Sequence, residues 1–227
     1  MTAPAALPVV VVVSGHGSNL QAILGQAPRL NLDVRAVISD RPEAQALERA
    51  RKAGIRSLVV SPKEHPDRAA YDAALTAAVA APHPGLVVLA GFMRILGPGF
   101  VRHFAGRLVN IHPSLLPKYR GLDTHRRALE AGDTRHGCSV HFVTDELDAG
   151  AVIAQAEVPV LPGDDASTLR VRVQGAEHVI YPEVLGWFAA GRLGLKEGQV
   201  ILDGAPLTTP KTFNWKGLRS PHEQEDA

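Results

Sequence analysis

The chain has 227 residues, 45% of them hydrophobic and 21% charged, enough for one large α/β domain or at most two small ones. Its 24 basic and 23 acidic residues leave a net charge of +1, which excludes a basic nucleic-acid footprint and means that any anionic ligand must be met locally. The single cysteine, Cys138, excludes a disulfide framework and a cysteine-based zinc site within one chain.

Residues 9–14 form a continuous β-branched run, as expected of a parallel strand covered on both faces. The wider apolar run 7–13 is too short to span a bilayer and has no basic residue before it, so a membrane span and a secretory leader are both set aside and the expected compartment is the cytoplasm. A helix is expected over 18–26, a second strand over 34–39, a helix over 44–53 ended by Gly54, and a short third strand over 57–60. An alanine-rich helix over 68–81 is stopped by Pro82 and Pro84, and strands follow at 86–90 and 108–111. The alternation predicts right-handed βαβ units in an open, mostly parallel, Rossmann-like α/β sheet with helices on both faces. Beyond it, a helix is expected over 123–131, strands over 139–143 and 152–160 joined by the polar turn 144–150, a long helix over 167–190, and a small terminal strand within 191–203. One domain over 1–207 is the simplest division, with a nucleotide-binding half at about 7–107 and a catalytic half at about 108–207; the polar tail 208–227 is expected to be loose.

The segment Ser14-Gly15-His16-Gly17-Ser18-Asn19-Leu20 lies between the first strand and the first helix. Glycines let the backbone turn tightly and approach a ligand, and the free N–H groups of a helix start favour an anion. A dinucleotide fingerprint needs a third glycine where Leu20 stands, although Asp40 has the placing of a ribose-binding acid; no Gly-Lys-Ser/Thr follows, so a P-loop is excluded. A phosphate loop and a plain turn with an N-cap both remain open at this point.

A second group centres on Asn110-Ile111-His112-Pro113-Ser114, at the end of a predicted strand where open α/β sheets bind ligands. Asn110 and His112 are two apart and project to the same side of a strand. The loop Asp145-Glu146-Leu147-Asp148 brings carboxylates, and a carboxylate beside a histidine favours the ring's charged form. An amide donor, a titratable ring and an acid suit chemistry in which a carbonyl oxygen becomes negative while an amine loses a proton. The alternative is a structural histidine and a solvated loop acid. Ser114 lacks a Gly-x-Ser-x-Gly elbow, no His-Glu-x-x-His or other metal-ligand spacing exists among the ten histidines, and Cys138 reads as a small buried residue.

Four ordered segments then carry a resemblance: residues 14–21, Leu89-Ala90-Gly91-Phe92-Met93-Arg94-Ile95-Leu96, residues 110–117, and His136-Gly137-Cys138-Ser139-Val140-His141-Phe142-Val143 running on to Asp148-Ala149-Gly150. Together, over about 9–191, they resemble the folate-dependent glycinamide ribonucleotide formyltransferases. The resemblance implies Asn110, His112 and Asp148 as the catalytic trio. It implies Gly17, Ser18, Asn19 and Glu177 as contacts to glycinamide ribonucleotide. Arg68, Met93, Arg94, Ile95, Leu96, Thr144, Asp145, Glu146 and Leu147, together with Asn110 and Asp148, become contacts to 10-formyltetrahydrofolate, the cosubstrate. No metal, nucleic acid or membrane partner is implied, and the chain is expected as a monomer or homodimer in purine biosynthesis. Leu116-Pro117 is expected to be a cis bond. His16, Arg120 and Asp123 depart from the family's pattern.

Two relatives and one unrelated class compete. A methionyl-tRNA formyltransferase is expected to add a basic RNA-binding domain, where only a short tail follows Gly191. A formyltetrahydrofolate hydrolase is expected to place a regulatory domain before the glycine loop, where the first strand here starts within ten residues of Met1. A nucleotide-binding regulatory module has a use for residues 17–19 but none for Asn110, His112 and Asp148 together.

Overall fold

The computed structural model describes residues 5–214. Strands β1 (Leu7–Val13), β2 (Leu32–Ser39), β3 (Arg56–Val59), β4 (Leu86–Leu89) and β5 (Leu108–His112) alternate with helices α1 (Ser18–Gln26), α2 (Gln45–Lys52), α3 (Arg68–Ala80) and α4 (Pro98–His103). Helix α5 (Thr124–Glu130), strands β6 (Arg135–Phe142) and β7 (Val152–Pro159) and the long helix α6 (Ala166–Ala189) follow. Strands β8 (Leu193–Lys196), β9 (Gln199–Leu202), β10 (Ala205–Pro206) and β11 (Lys211–Asn214) complete the described residues. Eight strands form one sheet in the order β11-β7-β6-β5-β4-β1-β2-β3, and β10-β9-β8 form a second, small antiparallel sheet. The large sheet is parallel except where β6 pairs antiparallel with both β5 and β7.

The pleat of β1 sorts its valines between two cores. Val9, Val11 and Val13 pack with residues of α1, α2 and α6, whereas Val10 and Val12 pack with residues of α3 and α4. Period-two alternation through a run buried on both sides is what makes the continuous apolar stretch necessary. The tyrosine of α6 ties this helix to the sheet: the Tyr181 hydroxyl lies 2.8 Å from the Leu89 carbonyl and 3.2 Å from that of Val109. The start of α6 is set by a capping box, with Asp165 accepting from the Thr168 N–H and Thr168 Oγ1 accepting from that of Asp165.

β1 has parallel neighbours on both sides, β2 and β4. Its connection leaves toward β2 and the chain later returns on the other flank, so a crevice opens beyond the carboxyl ends of β1 and β4. The glycine loop after β1 and the Gly91–Phe92–Met93 segment after β4 border that crevice. They are joined by Ser14 N–H to the Gly91 carbonyl at 3.2 Å and by Met93 N–H to Ser14 Oγ at 2.9 Å.

Three elements differ from expectation. Helix α4 was not expected; Pro98 supplies its first turn and Phe100 and Val101 its buried face. The region after Gly191 holds a three-stranded meander and not one strand. The tail expected to be loose instead contributes β11, which pairs parallel with β7 from Lys211↔Ala154 to Asn214↔Glu157 and stacks Phe213 on Trp187. A free edge on β7 offers unpaired backbone groups, and a short polar segment with one aromatic is enough to take them. Residues 215–227 lie outside the described residues. Among the described residues, no helix is long and apolar enough to cross a membrane.

Candidate active site

The two predicted groups meet at the same edge of the sheet. Asn110 and His112 occupy alternate positions of β5, facing His141 and Ser139 of β6. Loop 143–151 folds Asp148 back toward them, its backbone in the left-handed region at φ 49°. Asp148 Oδ2 accepts from the Gly121 N–H at 2.9 Å and stands 3.4 Å from His112 Nδ1, and both side chains are more than nine-tenths buried. His112 Nε2 lies 2.9 Å from the Tyr119 carbonyl, which can only accept, so this nitrogen carries a proton. The imidazole is thus held at both nitrogens, by a carboxylate and by the backbone of segment 118–123.

Asn110 has a partner that sequence reasoning missed. Its Nδ2 lies 3.2 Å from His141 Nε2, while His141 Nδ1 lies 2.8 Å from the Phe142 carbonyl. The carbonyl requires a proton on Nδ1. Burial lowers the His141 pKa and keeps the ring neutral, leaving Nε2 a bare acceptor for one amide hydrogen of Asn110. That contact sets which end of the Asn110 amide is the donor and leaves its second N–H to reach a ligand. The register pair Asn110↔His141 is the signal, visible only once β5 and β6 are aligned.

Segment 113–124 covers this group. Leu116-Pro117 is cis, as expected. Arg120 and Asp123, two of the three departures, both form ion pairs: Arg120 with Glu146 at 2.6 Å and Asp123 with Arg126 at 3.1 Å. The first links the covering segment to loop 143–151. Beneath it, His125 and His136 share a hydrogen bond of 3.2 Å, and burial pushes both down to about 4, so both are neutral near pH 7. Ser114 Oγ donates to the Lys118 carbonyl and Cys138 is fully enclosed, so neither is placed as a nucleophile.

The glycine loop is bonded to α6. Asn19 Nδ2 donates to Glu177 Oε2 at 2.8 Å, and Gln174 Nε2 donates to Ser18 Oγ at 2.7 Å. Gln174 was also missed, although its place three residues before Glu177 puts both on one helix face. Gly17 has φ 75° and a Cβ there would stand 2.6 Å from Ala46 Cβ, so glycine is required twice over. Asp40 is 3% exposed and turned into the protein, which removes it as a ribose-binding acid.

Burial pushes the Glu177 carboxyl up to about 7, against the lowering effect of the Asn19 hydrogen bond. A carboxyl with a higher pKa folded than unfolded keeps an extra proton in the folded state. Its contribution therefore lowers stability as pH rises from 4.5 toward about 7, with no further change above. Glu177→Gln is expected to flatten this limb, measured as urea midpoints at about pH 5 and about pH 8. A limb identical to the parent's would show that Glu177 does not titrate there.

The remaining predicted residues lie at the start of α3, on the segment after β4 and on the loop between β6 and β7. Arg68 Nη2 donates to the Ile95 carbonyl at 2.5 Å and its Nε pairs with Asp72, fixing segment 93–96 to α3. Arg94 lies over the Tyr71 ring at 5.3 Å. Leu96 packs into the α3–α4 core, but Met93 and Ile95 are 62% and 66% exposed and Leu147 is 51% exposed. Those three side chains are therefore not part of either core, and exposed apolar side chains beside a polar cleft suit a flat, partly apolar ligand. Thr144 Oγ1 donates to the Glu146 carbonyl at 3.2 Å within the same loop, and Asp145 is exposed. Among the described residues, no three metal-binding side chains converge.

The chain belongs to the formyl transferase family, whose pattern matches residues 7–185 and so takes in the glycine loop, the end of β5 and the loop that carries Asp148. Within it the similarity is narrower. The chain is 55% identical over 201 residues to the phosphoribosylglycinamide formyltransferase of Escherichia coli, covering 88% of this chain and 95% of that one. It is 42% identical over 195 residues to the human trifunctional purine biosynthetic protein adenosine-3, covering 85% of this chain but only 19% of that protein. The solved phosphoribosylglycinamide formyltransferase of Coxiella burnetii superposes with a TM-score of 0.88 at 52% identity, over 92% of this chain and 99% of that one. A formyltetrahydrofolate deformylase from Pseudomonas putida superposes at 0.78 with 26% identity, over 88% of this chain and 72% of that one.

Proposed function

We propose that this chain transfers the formyl group of 10-formyltetrahydrofolate to the amine of glycinamide ribonucleotide, in the cytoplasm, as a step of purine biosynthesis. The observation that carries the reading is the convergence of Asn110, His112 and Asp148 beside a glycine loop bonded to Glu177 and Gln174. The ribonucleotide phosphate lies on the N–H groups of residues 17–19, with Glu177 and Gln174 toward its sugar. The folate lies along Arg68, residues 93–96 and residues 144–148.

The amine nitrogen attacks the formyl carbon, the carbonyl electrons move to oxygen, and a tetrahedral oxyanion forms. The free N–H of Asn110 and the Nε2 proton of His112 donate to that oxygen; a preset donor of this kind contributes about 3 kcal/mol to the transition state. The oxyanion takes the place now held by the Tyr119 carbonyl, so segment 118–123 shifts as substrate enters. Collapse breaks the carbon–nitrogen bond to folate; the attacking amine has lost one proton and the folate nitrogen gains one. Asp148, 3.4 Å from His112 Nδ1, holds the ring in the orientation that this requires.

The likeness to a deformylase makes hydrolysis, with water replacing the amine, the one competing outcome. Purified protein with both substrates is expected to give formylated ribonucleotide and tetrahydrofolate in equal amounts. Formate released at the same rate without the ribonucleotide would replace this reading with the hydrolytic one.

A further inference from the structure

The orientation of the glycine loop is imposed from outside it, by α2. The Gly15 carbonyl accepts from the Ala46 N–H at 3.1 Å, and the His16 carbonyl accepts from Arg49 Nε at 2.9 Å. In a trans peptide the carbonyl and the following N–H point in opposite directions. With two successive carbonyls held toward α2, the N–H groups of His16 and Gly17 are turned to the opposite side. Successive backbone N–H groups aimed one way form an anion-binding concavity, here continued by the start of α1. Among the described residues, none accepts a hydrogen bond from the N–H of Gly17, Ser18 or Asn19.

Arg49 also reaches beyond the carbonyl. Its Nη1 donates to Gln21 Oε1 on α1 at 3.1 Å, and its Nη2 lies 3.4 and 3.3 Å from the two ring nitrogens of His16. One guanidinium therefore spans the loop, the helix after it and the helix beneath it. Ala46, three residues earlier on α2, presses against Gly17 from the same side.

We propose that Arg49 is a positioning residue for phosphate recognition, acting through the His16 carbonyl and the Gln21 side chain to keep the loop N–H groups facing the ligand. The inference rests on the reading of residues 17–19 as the ribonucleotide-phosphate site. It assigns the task to the planar fork of arginine, which supplies several donors in fixed directions; lysine keeps the charge but lacks that geometry.

The test compares the parent with Arg49→Ala, Arg49→Lys and the control Glu48→Gln, which loses pairs only to Arg51 and Lys52 on the same helix. Formyl transfer is assayed, and calorimetry measures binding of glycinamide ribonucleotide and of inorganic phosphate. Arg49→Ala is expected to raise KM and Kd for the ribonucleotide about tenfold, the worth of one or two hydrogen bonds, and to weaken phosphate in parallel. Its kcat and its KM for folate are expected to stay within about twofold of the parent. Arg49→Lys is expected to recover less than half of the loss, and Glu48→Gln to match the parent. An unchanged ribonucleotide KM in Arg49→Ala overturns the proposal. So does a proportionate fall in kcat, both affinities and thermal midpoint, the mark of a general structural role. Full rescue by lysine overturns it as well, because charge alone then suffices. A parent that binds phosphate through Arg49 yet makes no formylated product would sink the proposed function and leave this inference standing; formylation with Arg49→Ala at parental KM does the reverse.

Discussion

His112→Ala is expected to lower kcat for formyl transfer by about three orders of magnitude, within the range removed with a positioned acid–base group. The ring is the only side chain at the end of β5 held by a carboxylate on one nitrogen and carrying a defined proton on the other. Alanine removes the proton donor and frees the Tyr119 carbonyl. The fold should survive, because Asp148 keeps the Gly121 N–H and β5 keeps its ladder. One weakened buried acceptor costs about 1–3 kcal/mol, less than the stability of an ordinary domain. Steady-state kinetics beside a urea titration separate the two effects. A variant that folds and turns over within tenfold of the parent would remove His112 from the chemistry.

Asp148→Asn is the second large effect, expected to reduce kcat by about 100-fold or more with little change in the thermal midpoint. The substitution keeps size, and the amide oxygen can still accept from the Gly121 N–H. What it loses is the negative charge facing His112 Nδ1. The new NH₂ is also within reach of His141, whose Nε2 stands 3.8 Å from Asp148 Oδ1. It would compete with Asn110 for that bare acceptor, so the oxyanion donor and the histidine are both disturbed by one atom change. The loss should fall on kcat, with the ribonucleotide KM near the parent's, because residues 17–19 and 177 are untouched. Turnover within threefold of the parent would leave Asp148 as a tether for the covering segment alone.

Much of the fold was legible because its signals are local. The valine run of β1 needs two covered faces, Gly54 ends α2 at φ 71°, and the alternation of strands and helices leaves few topologies. Most predicted elements lie within a residue or two of the observed ones. β11 was not legible: a polar segment becomes a strand only if an edge is free beside it, and that edge belongs to β7, more than fifty residues earlier. Helix α4 was hidden for a related reason, being only six residues long with an apolar pair that has meaning only against α3.

The candidate site divides the same way. Residue types, spacing and strand-end position pointed to Asn110, His112 and the acidic loop, and the glycine loop could be read from steric and helix-end arguments. His141 and Gln174 could not be found like this, because their importance lies in a cross-strand register and a helix-to-loop contact. By residue type alone Met93 and Ile95 suit a core as well as a ligand, and only their exposure separates the two. Covalent chemistry and backbone preference act over a few residues and are written in local order. Which carboxylate reaches which ring, which carbonyls α2 captures, and which apolar side chains remain uncovered depend on how distant segments share space, and those were decided by packing.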